Sequence, residues 1–265
     1  MLNRAICATP RRKQYTPTVI EREGGAFRGR KTPAPVPILV LFAVPFESEP
    51  FIRMRIAQRI SVAYVGMGMT CAGGVLNRLL EWFQPRVVVS AGLAGSLVSA
   101  ISVPQVLSVN AVIRMNEGSF ELPHNAVRAG ARMVSVEAVA ATAAEKRRLG
   151  IESGAELVDM ETWELARICR ERRISFRAVR AVSDGVDEDI PAAILGSYCM
   201  ATQRSSVRGF IGGILRMPRE IPAVVRFLRN ASRARLALAM ALVAEFEQEP
   251  GSPDPDQQGS QGVMD

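Results

Sequence analysis

The sequence predicts an α/β fold, and two features of the chain point to it. Runs of β-branched and other apolar residues recur along the chain: VPILVLFA at 36–43, RVVVS at 86–90, VLSVNAVI at 106–113 and FRAVRAVS at 176–183. They alternate with stretches whose apolar residues have helical spacing. Several runs end in glycine or other small residues, as strand-to-helix turns do. At 265 residues the chain is long enough for one sizeable core. Its 48% apolar and 22% charged residues are the balance of a globular protein.

Residues 1–36 are rich in Arg, Lys, Pro, Thr and Gly without periodicity, and read as a mobile basic arm. Such an arm is either an extension without a role or a segment drawn to nucleic acid or lipid. The domain proper is read as 37–248. Its first strand, Val36 to Ala43, is continuous and apolar, as a strand buried on both faces is. Glu47 follows that strand's carboxyl end, where α/β folds bind ligands. It reads equally as a helix N-terminal charge, because Ser48 and Glu49 can open a helix.

Ser61 to Val65 is the next strand, followed by the tight turn Gly66-Met67-Gly68. Ala72 to Phe83 is a helix with Leu76, Leu79, Leu80 and Phe83 as its apolar stripe. The glycine turn reads as a cradle for phosphate or sugar, or as plain geometry. Arg86 to Ser90 is a strand, and Ala91 to Ser96 a turn of small residues. That turn, with Gly95 in it, either lets a ligand approach the backbone or packs tightly. Val106 to Ile113 is a strand and Asn116 to Gly130 a loop holding His124. Met133 to Ala140 is a strand, and Thr142 to Leu149 a helix with Thr142 as N-cap.

The stretch from Ala155 to Asp184 organises the rest. It reads as strand (Ala155 to Met160), helix (Glu161 to Arg173) and strand (Phe176 to Ser183), with Asp184 directly after. Glu161 and Asp184 thus stand at the carboxyl ends of two strands, where they can converge on one pocket. Two carboxylates on one rim bind sugar hydroxyls or perform acid–base chemistry. On the intervening helix Leu165, Ile168 and Cys169 face the core and Arg167, Arg170, Glu171, Arg172 and Arg173 face solvent. Cys169 and Trp163 read as packing residues.

Composition narrows the chemistry. The single histidine nearly excludes a Ser-His-Asp triad or a multi-histidine metal site. The four cysteines form no CxxC pair, so no metal or cofactor is expected and the setting is read as reducing and cytoplasmic. No apolar run reaches the roughly 18 residues of a membrane span, and no signal-peptide pattern is seen.

The net charge is +7, with much of the excess near the ends. Residues 204–248 form a basic helical part in which Arg204, Arg208, Arg216, Arg219, Arg226, Arg229, Arg233 and Arg235 are interleaved with apolar residues. This stretch either lies on an anionic membrane or packs on the domain with an arginine outer face. Residues 249–265 read as a disordered tail.

The stretch VDMETWELARICRERRISFRAVRAVSDGVDED resembles the central signature of the nucleoside phosphorylase/nucleosidase superfamily. Within it, the resemblance is to methylthioadenosine/S-adenosylhomocysteine nucleosidases and hopanoid-associated nucleosidases. FAVPFESE, VGMGMTCAGG, SAGLAGSL and VEAVAATAAEKRRL occur in the family's order ahead of the signature. The tail LRMPREIPAVVRFLRNASRARLALA is similar to the arginine-rich end of the hopanoid-associated branch.

The resemblance implies a single domain with a mixed, twisted, partly barrel-like sheet flanked by helices. It implies cleavage of the adenine–ribose bond of a 5′-substituted adenosine: methylthioadenosine, S-adenosylhomocysteine or a lipid-linked adenosine such as adenosylhopane. By motif position, Asp184 would be the general acid at purine N7, and Ser183 would be among the substrate-binding residues. Glu161 would hold the ribose hydroxyls, with Met160 packed on the sugar. Glu47 would orient and deprotonate the attacking water. Gly95 and Ala140 would line the substrate pocket, with Val139 and Ala140 where bulkier residues often meet adenine.

The phosphate-binding arginine and serine of phosphorylases are replaced by Ser90 and Leu93, which favours water over phosphate as nucleophile. The alternatives are a phosphorylase with an unusual phosphate site, or a non-catalytic nucleoside-binding, membrane-associated protein. The resemblance further implies a homodimer. The expected partners are a purine nucleoside and an anionic membrane surface touched peripherally, at the inner face; no nucleic acid is expected.

Overall fold

The computed structural model describes residues 37–56, 60–123, 129–196 and 217–248, with two-residue strands at 18–19, 22–23, 26–27, 198–199 and 204–205. His124, the tail 249–265 and most of the arm 1–36 lie outside the described residues.

In chain order the main strands are β1 (Ile38–Phe42), β2 (Ile60–Tyr64), β3 (Val87–Ser96), β4 (Val106–Arg114), β5 (Gly118–Glu121), β6 (Gly130–Ser135), β7 (Leu157–Asp159) and β8 (Ser175–Asp184). The helices are α1 (Pro45–Ile52), α2 (Met69–Phe83), α3 (Ala143–Ser153), α4 (Thr162–Glu171), α5 (Ala192–Leu195) and α6 (Ile221–Gln248).

β1 lies between β2 and β3, parallel to both. All five of its residues are buried, as the unbroken ILVLF pattern requires. β3 also pairs with β8 in parallel and with β7 antiparallel. β7 runs parallel to β6, β6 parallel to β4, and β4 antiparallel to β8. The strands β3, β7, β6, β4 and β8 therefore close a small barrel, from which β1 and β2 extend as an open wing. The mixed, partly barrel-like sheet flanked by helices agrees with the fold expected from the sequence.

α2 and α4 cover one side. Leu76, Leu79, Leu80 and Phe83 of α2 meet Leu165, Ile168 and Cys169 of α4 over Leu39, Leu41 and Val88. Each such buried side chain contributes about 1.5–3 kcal/mol relative to exposure. α1 and α6 cover the other side, with Phe51, Leu238, Leu242 and Phe246 over Val40, Phe42, Val89 and Val179. The Phe51 ring stands 6.1 Å from Phe42 and 6.2 Å from Phe246. On α6, Val224, Ala231, Ala234, Leu238, Ala239, Leu242 and Phe246 make the inward stripe. This is the packed terminal helix, with Arg226, Arg229 and Arg233 on its outer side. Arg235 instead turns inward, pairs with Glu49 at 2.6 Å and lies 4.3 Å over the Phe46 ring.

Several local expectations are corrected. Ala91 to Ser96 is not a turn: β3 runs unbroken through it, because Ala91 to Ala94 keep pairing with β8. The loop from Asn116 holds β5, which folds back on β4 as a hairpin. β6 ends at Ser135 rather than Ala140, leaving Val136 to Ala141 as irregular chain over the barrel end. α2 begins three residues earlier than predicted, directly after Gly68. Thr142 caps α3 as expected, accepting from the Glu145 N–H at 3.2 Å, and the helix continues to Ser153 before Gly154 stops it.

Candidate active site

Glu47 takes up the helix N-terminal reading and stands just past the carboxyl end of β1. It lies in the first turn of α1, and its Oε2 accepts from the backbone N–H groups of Ala43 and Val44 at 3.0 and 3.3 Å. Its Oε1 meanwhile accepts from Leu93 N–H of β3 at 2.9 Å. The carboxylate is thus buried at the carboxyl end of β1 and braced against the middle of the barrel strand. Burial raises its pKa above the ordinary carboxylate range, against the three backbone donors and the Arg180 charge, which lower it.

Glu161 precedes α4 as its N-cap residue rather than belonging to the helix. Its Oε1 accepts from Gly68 N–H at 2.7 Å. Gly68 has φ +87°, a backbone conformation that costs glycine nothing and that starts α2 in this geometry. The glycine turn is therefore the seat of Glu161 in this structure.

Below Glu161 lies a buried polar network. Arg180 donates to Ser90 O at 2.9 Å, Ser90 Oγ at 2.8 Å, Val179 O at 3.0 Å and Thr162 Oγ1 at 2.6 Å, and pairs with Asp159 at 3.0 Å. Asp159 also accepts from Ser135 Oγ at 2.6 Å and from the Thr162 hydroxyl.

Burial, and secondly the Asp159 carboxylate, push the Glu161 pKa from 4.5 up to about 8. Between those values the folded protein holds a proton that the unfolded chain has released, so stability falls as pH rises through the window. Below it both states are protonated and the penalty vanishes. Glu161→Gln removes the titration. Its melting temperature relative to the wild type is expected to climb from pH 5 to pH 9; a difference independent of pH would contradict the burial argument.

Asp184 ends β8 at an irregularity. Val182 pairs with Ala94 and Asp184 with Gly95, so Ser183 is the extra residue of a bulge. Bulges re-aim side chains beside sites. Here Ser183 Oγ donates to Asp184 Oδ1 at 2.6 Å and lies 3.3 Å from Ala94 O. Lys146 Nζ donates to Asp184 Oδ2. Any side chain at Gly95 would bring its Cβ to 3.1 Å from that same Oδ2, so glycine is what admits Asp184 against β3.

A cavity of about 70 Å³ opens beside Asp184, lined by Gly95, Val136, Val139, Ala140, Met160 and Ile190 among others. The enclosed space is well below the roughly 300–1,000 Å³ of pockets that surround drug-sized ligands. It has room for only part of a ligand of that size. A larger cleft of about 640 Å³, beside Phe120, Arg170 and Phe176, is lined by none of Glu47, Glu161 and Asp184.

The structure thus gathers Asp184, Gly95, Ala140 and Met160 around the cavity. Ser183 stands behind Asp184, whereas Glu47 and Glu161 are not among the residues that line the cavity; the Glu47 charge is near enough to help raise the Glu161 pKa. Cys169 is fully buried, and burial pushes its thiol up to about 12, so it is a packing residue. Trp163 packs against Phe120 at 6.0 Å with the Arg114 guanidinium 5.3 Å from its ring. Among the described residues no group of three or more His, Cys, Asp or Glu side chains is placed to hold a metal.

Three members of the site were not foreseen: Asp159, Arg180 and Lys146. Arg180 carried a signal, since a charge inside the apolar run AVRAV needs a buried partner. Lys146 carried none among the charges of EKRR.

Against known proteins, the family model described as the phosphorylase superfamily matches residues 36–138 and 121–194. No curated protein matches the chain by sequence. Among solved structures, the fold is similar to that of the methylthioadenosine/S-adenosylhomocysteine nucleosidase of S. pneumoniae, solved with a transition-state inhibitor, at TM-score 0.59 and 14% identity over 80% of this chain and 99% of that one. It is similar to Arabidopsis thaliana 5′-methylthioadenosine nucleosidase at TM-score 0.58 and 16% identity, over 83% and 98% of the two chains. Futalosine hydrolase of Helicobacter pylori gives TM-score 0.56 and 15% identity over 80% and 96%. At these identities the likeness is one of fold. The matched residues run from the first strand through Glu47, Glu161 and Asp184 to the end of the barrel, and on that ground the chain belongs to the phosphorylase superfamily.

Proposed function

We propose that the chain is a purine-nucleoside N-glycosidase that hydrolyses the adenine–ribose bond of a 5′-substituted adenosine. The observation that carries this reading is the placement of two carboxylates, one from α1 and one from β8, against the same barrel strand, β3. Glu47 is held at Leu93 and Asp184 at Gly95, with Glu161 close by.

In this reaction the base enters the cavity walled by Val136, Val139, Ala140 and Ile190 and meets Asp184 at N7. Protonation there lets adenine leave neutral. The ribosyl group becomes oxocarbenium-like as the bond breaks, and the ionised carboxylate of Glu47 stabilises its positive charge. Glu161 accepts hydrogen bonds from the ribose hydroxyls, exchanging its Gly68 partner for them, and Met160 packs on the sugar. Glu47 takes a proton from water as its oxygen bonds to C1′.

Water is favoured over phosphate by what surrounds Glu47. The N–H groups of Ala43, Val44 and Leu93, which an anion would need, are already given to its carboxylate. The neighbouring cation Arg180 is compensated by Asp159. A phosphate would meet a buried carboxylate and no uncommitted partner within this group.

The test is adenine release from methylthioadenosine, S-adenosylhomocysteine and adenosine in phosphate-free buffer. Release from at least one supports the reading and ranks the 5′-groups. Binding without release would favour the non-catalytic alternative. A cytoplasmic homodimer is part of the proposal, and sedimentation of a monomer at micromolar concentration would remove the dimer from it.

The outer face of α6 supports peripheral contact with an anionic membrane. Ile221, Val225, Leu228, Leu236 and Met240 are exposed there, Val225 to 59% and Met240 to 61%, amid Arg226, Arg229 and Arg233. Exposed apolar side chains bordered by arginines match an interface of acyl chains under anionic headgroups. No helix among the described residues is long and apolar enough to cross a membrane. The protein is expected to float with vesicles containing phosphatidylglycerol at low salt and to release at high salt. Failure to float would sink the membrane contact, and concentration-dependent self-association in its place would assign the face to a second copy.

A further inference from the structure

Lys146 is the least expected group in the site. It sits in the first turns of α3, and the whole residue is inaccessible to solvent. A buried ammonium must be compensated in full, because leaving it unpaired costs several kcal/mol. Its three donors go to Asp184 Oδ2, Gly185 O at 3.1 Å and Glu188 O at 2.7 Å. An ammonium has three N–H bonds and no acceptor, so this set is complete.

All three acceptors lie on one segment, the end of β8 and the chain that leaves it. The same segment is tied to the start of α3 elsewhere. Asp189 Oδ1 accepts from Ala143 N–H at 2.7 Å, Ile190 N–H donates to Ala141 O at 2.8 Å, and Arg147 pairs with Asp187. Lys146 is the buried centre of this seam, and its only side-chain partner among these is Asp184.

We propose that Lys146 is the positioning residue of Asp184, holding Oδ2 so that Oδ1 is the oxygen that meets purine N7; the proposal rests on the nucleosidase reading above. Oδ1 is the atom with an adjustable partner. The Ser183 hydroxyl donates one hydrogen, and it has Ala94 O as a second acceptor at 3.3 Å. When Oδ1 carries a proton, the Ser183 hydrogen turns to Ala94 O and the Asp184 proton is free to point at the base. As the N9–C1′ bond breaks, that proton passes to N7 and Asp184 is left a carboxylate. Lys146 compensates the charge left behind in a buried site. The attacking water gives its hydroxide to C1′ and its proton to Glu47, and Asp184 regains a proton from solvent once adenine has left.

The experiment compares the wild type, Lys146→Met, Asp184→Asn and the double variant on two substrates. One is the adenine nucleoside turned over fastest. The other is 4-nitrophenyl β-riboside, whose leaving group departs as an anion and needs no proton. Lys146→Met is expected to lower kcat for adenine release by about 100-fold or more, in the range of a lost acid catalyst, with KM little changed. The nitrophenyl riboside should lose less than about fivefold, against that same scale for acid catalysis. In the Asp184→Asn background, Lys146→Met should cost nothing further.

Equal losses on both substrates, or a further tenfold loss in the Asp184→Asn background, would overturn the positioning role. The double variant leaves no unpaired charge, so its comparison with Asp184→Asn decides the matter even where Lys146→Met alone does not fold. A wild type that releases adenine beside an equally active Lys146→Met removes Lys146 alone. A wild type inert to every purine nucleoside removes the nucleosidase reading and this role with it.

Discussion

Asp184→Asn is expected to lower adenine release by about 10²–10⁴-fold, the range for loss of a positioned general acid, and to leave the protein folded. The side chain lines the cavity, is almost wholly buried, and is held at both oxygens, by Ser183 and by Lys146. Asparagine keeps the shape and one oxygen acceptor. It cannot protonate N7 as the base departs. Removing one partner of a buried ion pair costs about 3–5 kcal/mol. The amide oxygen remains for Lys146 beside Gly185 O and Glu188 O, so the loss of stability should stay below that figure. Base release followed by chromatography, with a thermal melt on the same sample, checks both halves. Full activity in the variant would remove Asp184 from the chemistry.

Glu47→Gln is expected to lower kcat by about 10²–10⁴-fold as well, for a different reason. The carboxylate accepts three backbone N–H bonds through its two oxygens. A glutamine must turn its NH₂ toward Leu93 N–H on one side or toward Ala43 and Val44 N–H on the other, which places donor against donor. The variant therefore loses the base and one side of the brace between α1 and β3. In the wild type, burial raises the Glu47 pKa, so the acidic limb of activity should lie above the ordinary carboxylate range. The limb reflects ionisation of the base, and rate rises as pH increases through it. Residual Glu47→Gln activity should lack that limb. A variant with wild-type rate and an unchanged limb would assign the base elsewhere.

The order of strands and helices was legible because each buried strand announces itself as an apolar run. ILVLF in β1 and VVV in β3 are examples. The carboxylates were legible for the same reason, as charges placed where apolar runs stop. What the sequence hid depends on pairing across distance. Ala91 to Ser96 looked like a turn because small residues favour turns locally, yet β8 alongside holds them as strand. β5 was missed because a four-residue exposed hairpin arm carries no apolar pattern. The seat of Glu161 at Gly68 joins residues 93 positions apart, which no local spacing reveals.

The ion pair of Arg180 with Asp159 and that of Lys146 with Asp184 were hidden in the same way. Arg180 bears directly on the choice of nucleophile. The resemblance implies serine, Ser90, where phosphorylases carry a cation, and in the structure Ser90 accepts from a cation of β8, Arg180, already paired with Asp159.

The most direct test of the proposed function is the identity of the sugar product formed when the protein is incubated with an adenine nucleoside in phosphate buffer. Phosphorus NMR and mass spectrometry of the reaction mixture distinguish free ribose from ribose 1-phosphate. The Glu47 carboxylate, with the N–H groups of Ala43, Val44 and Leu93 already committed to it, predicts the free 5′-substituted ribose, formed at a rate independent of phosphate. A sugar 1-phosphate, with turnover that requires phosphate, would contradict the account and make this chain a phosphorylase.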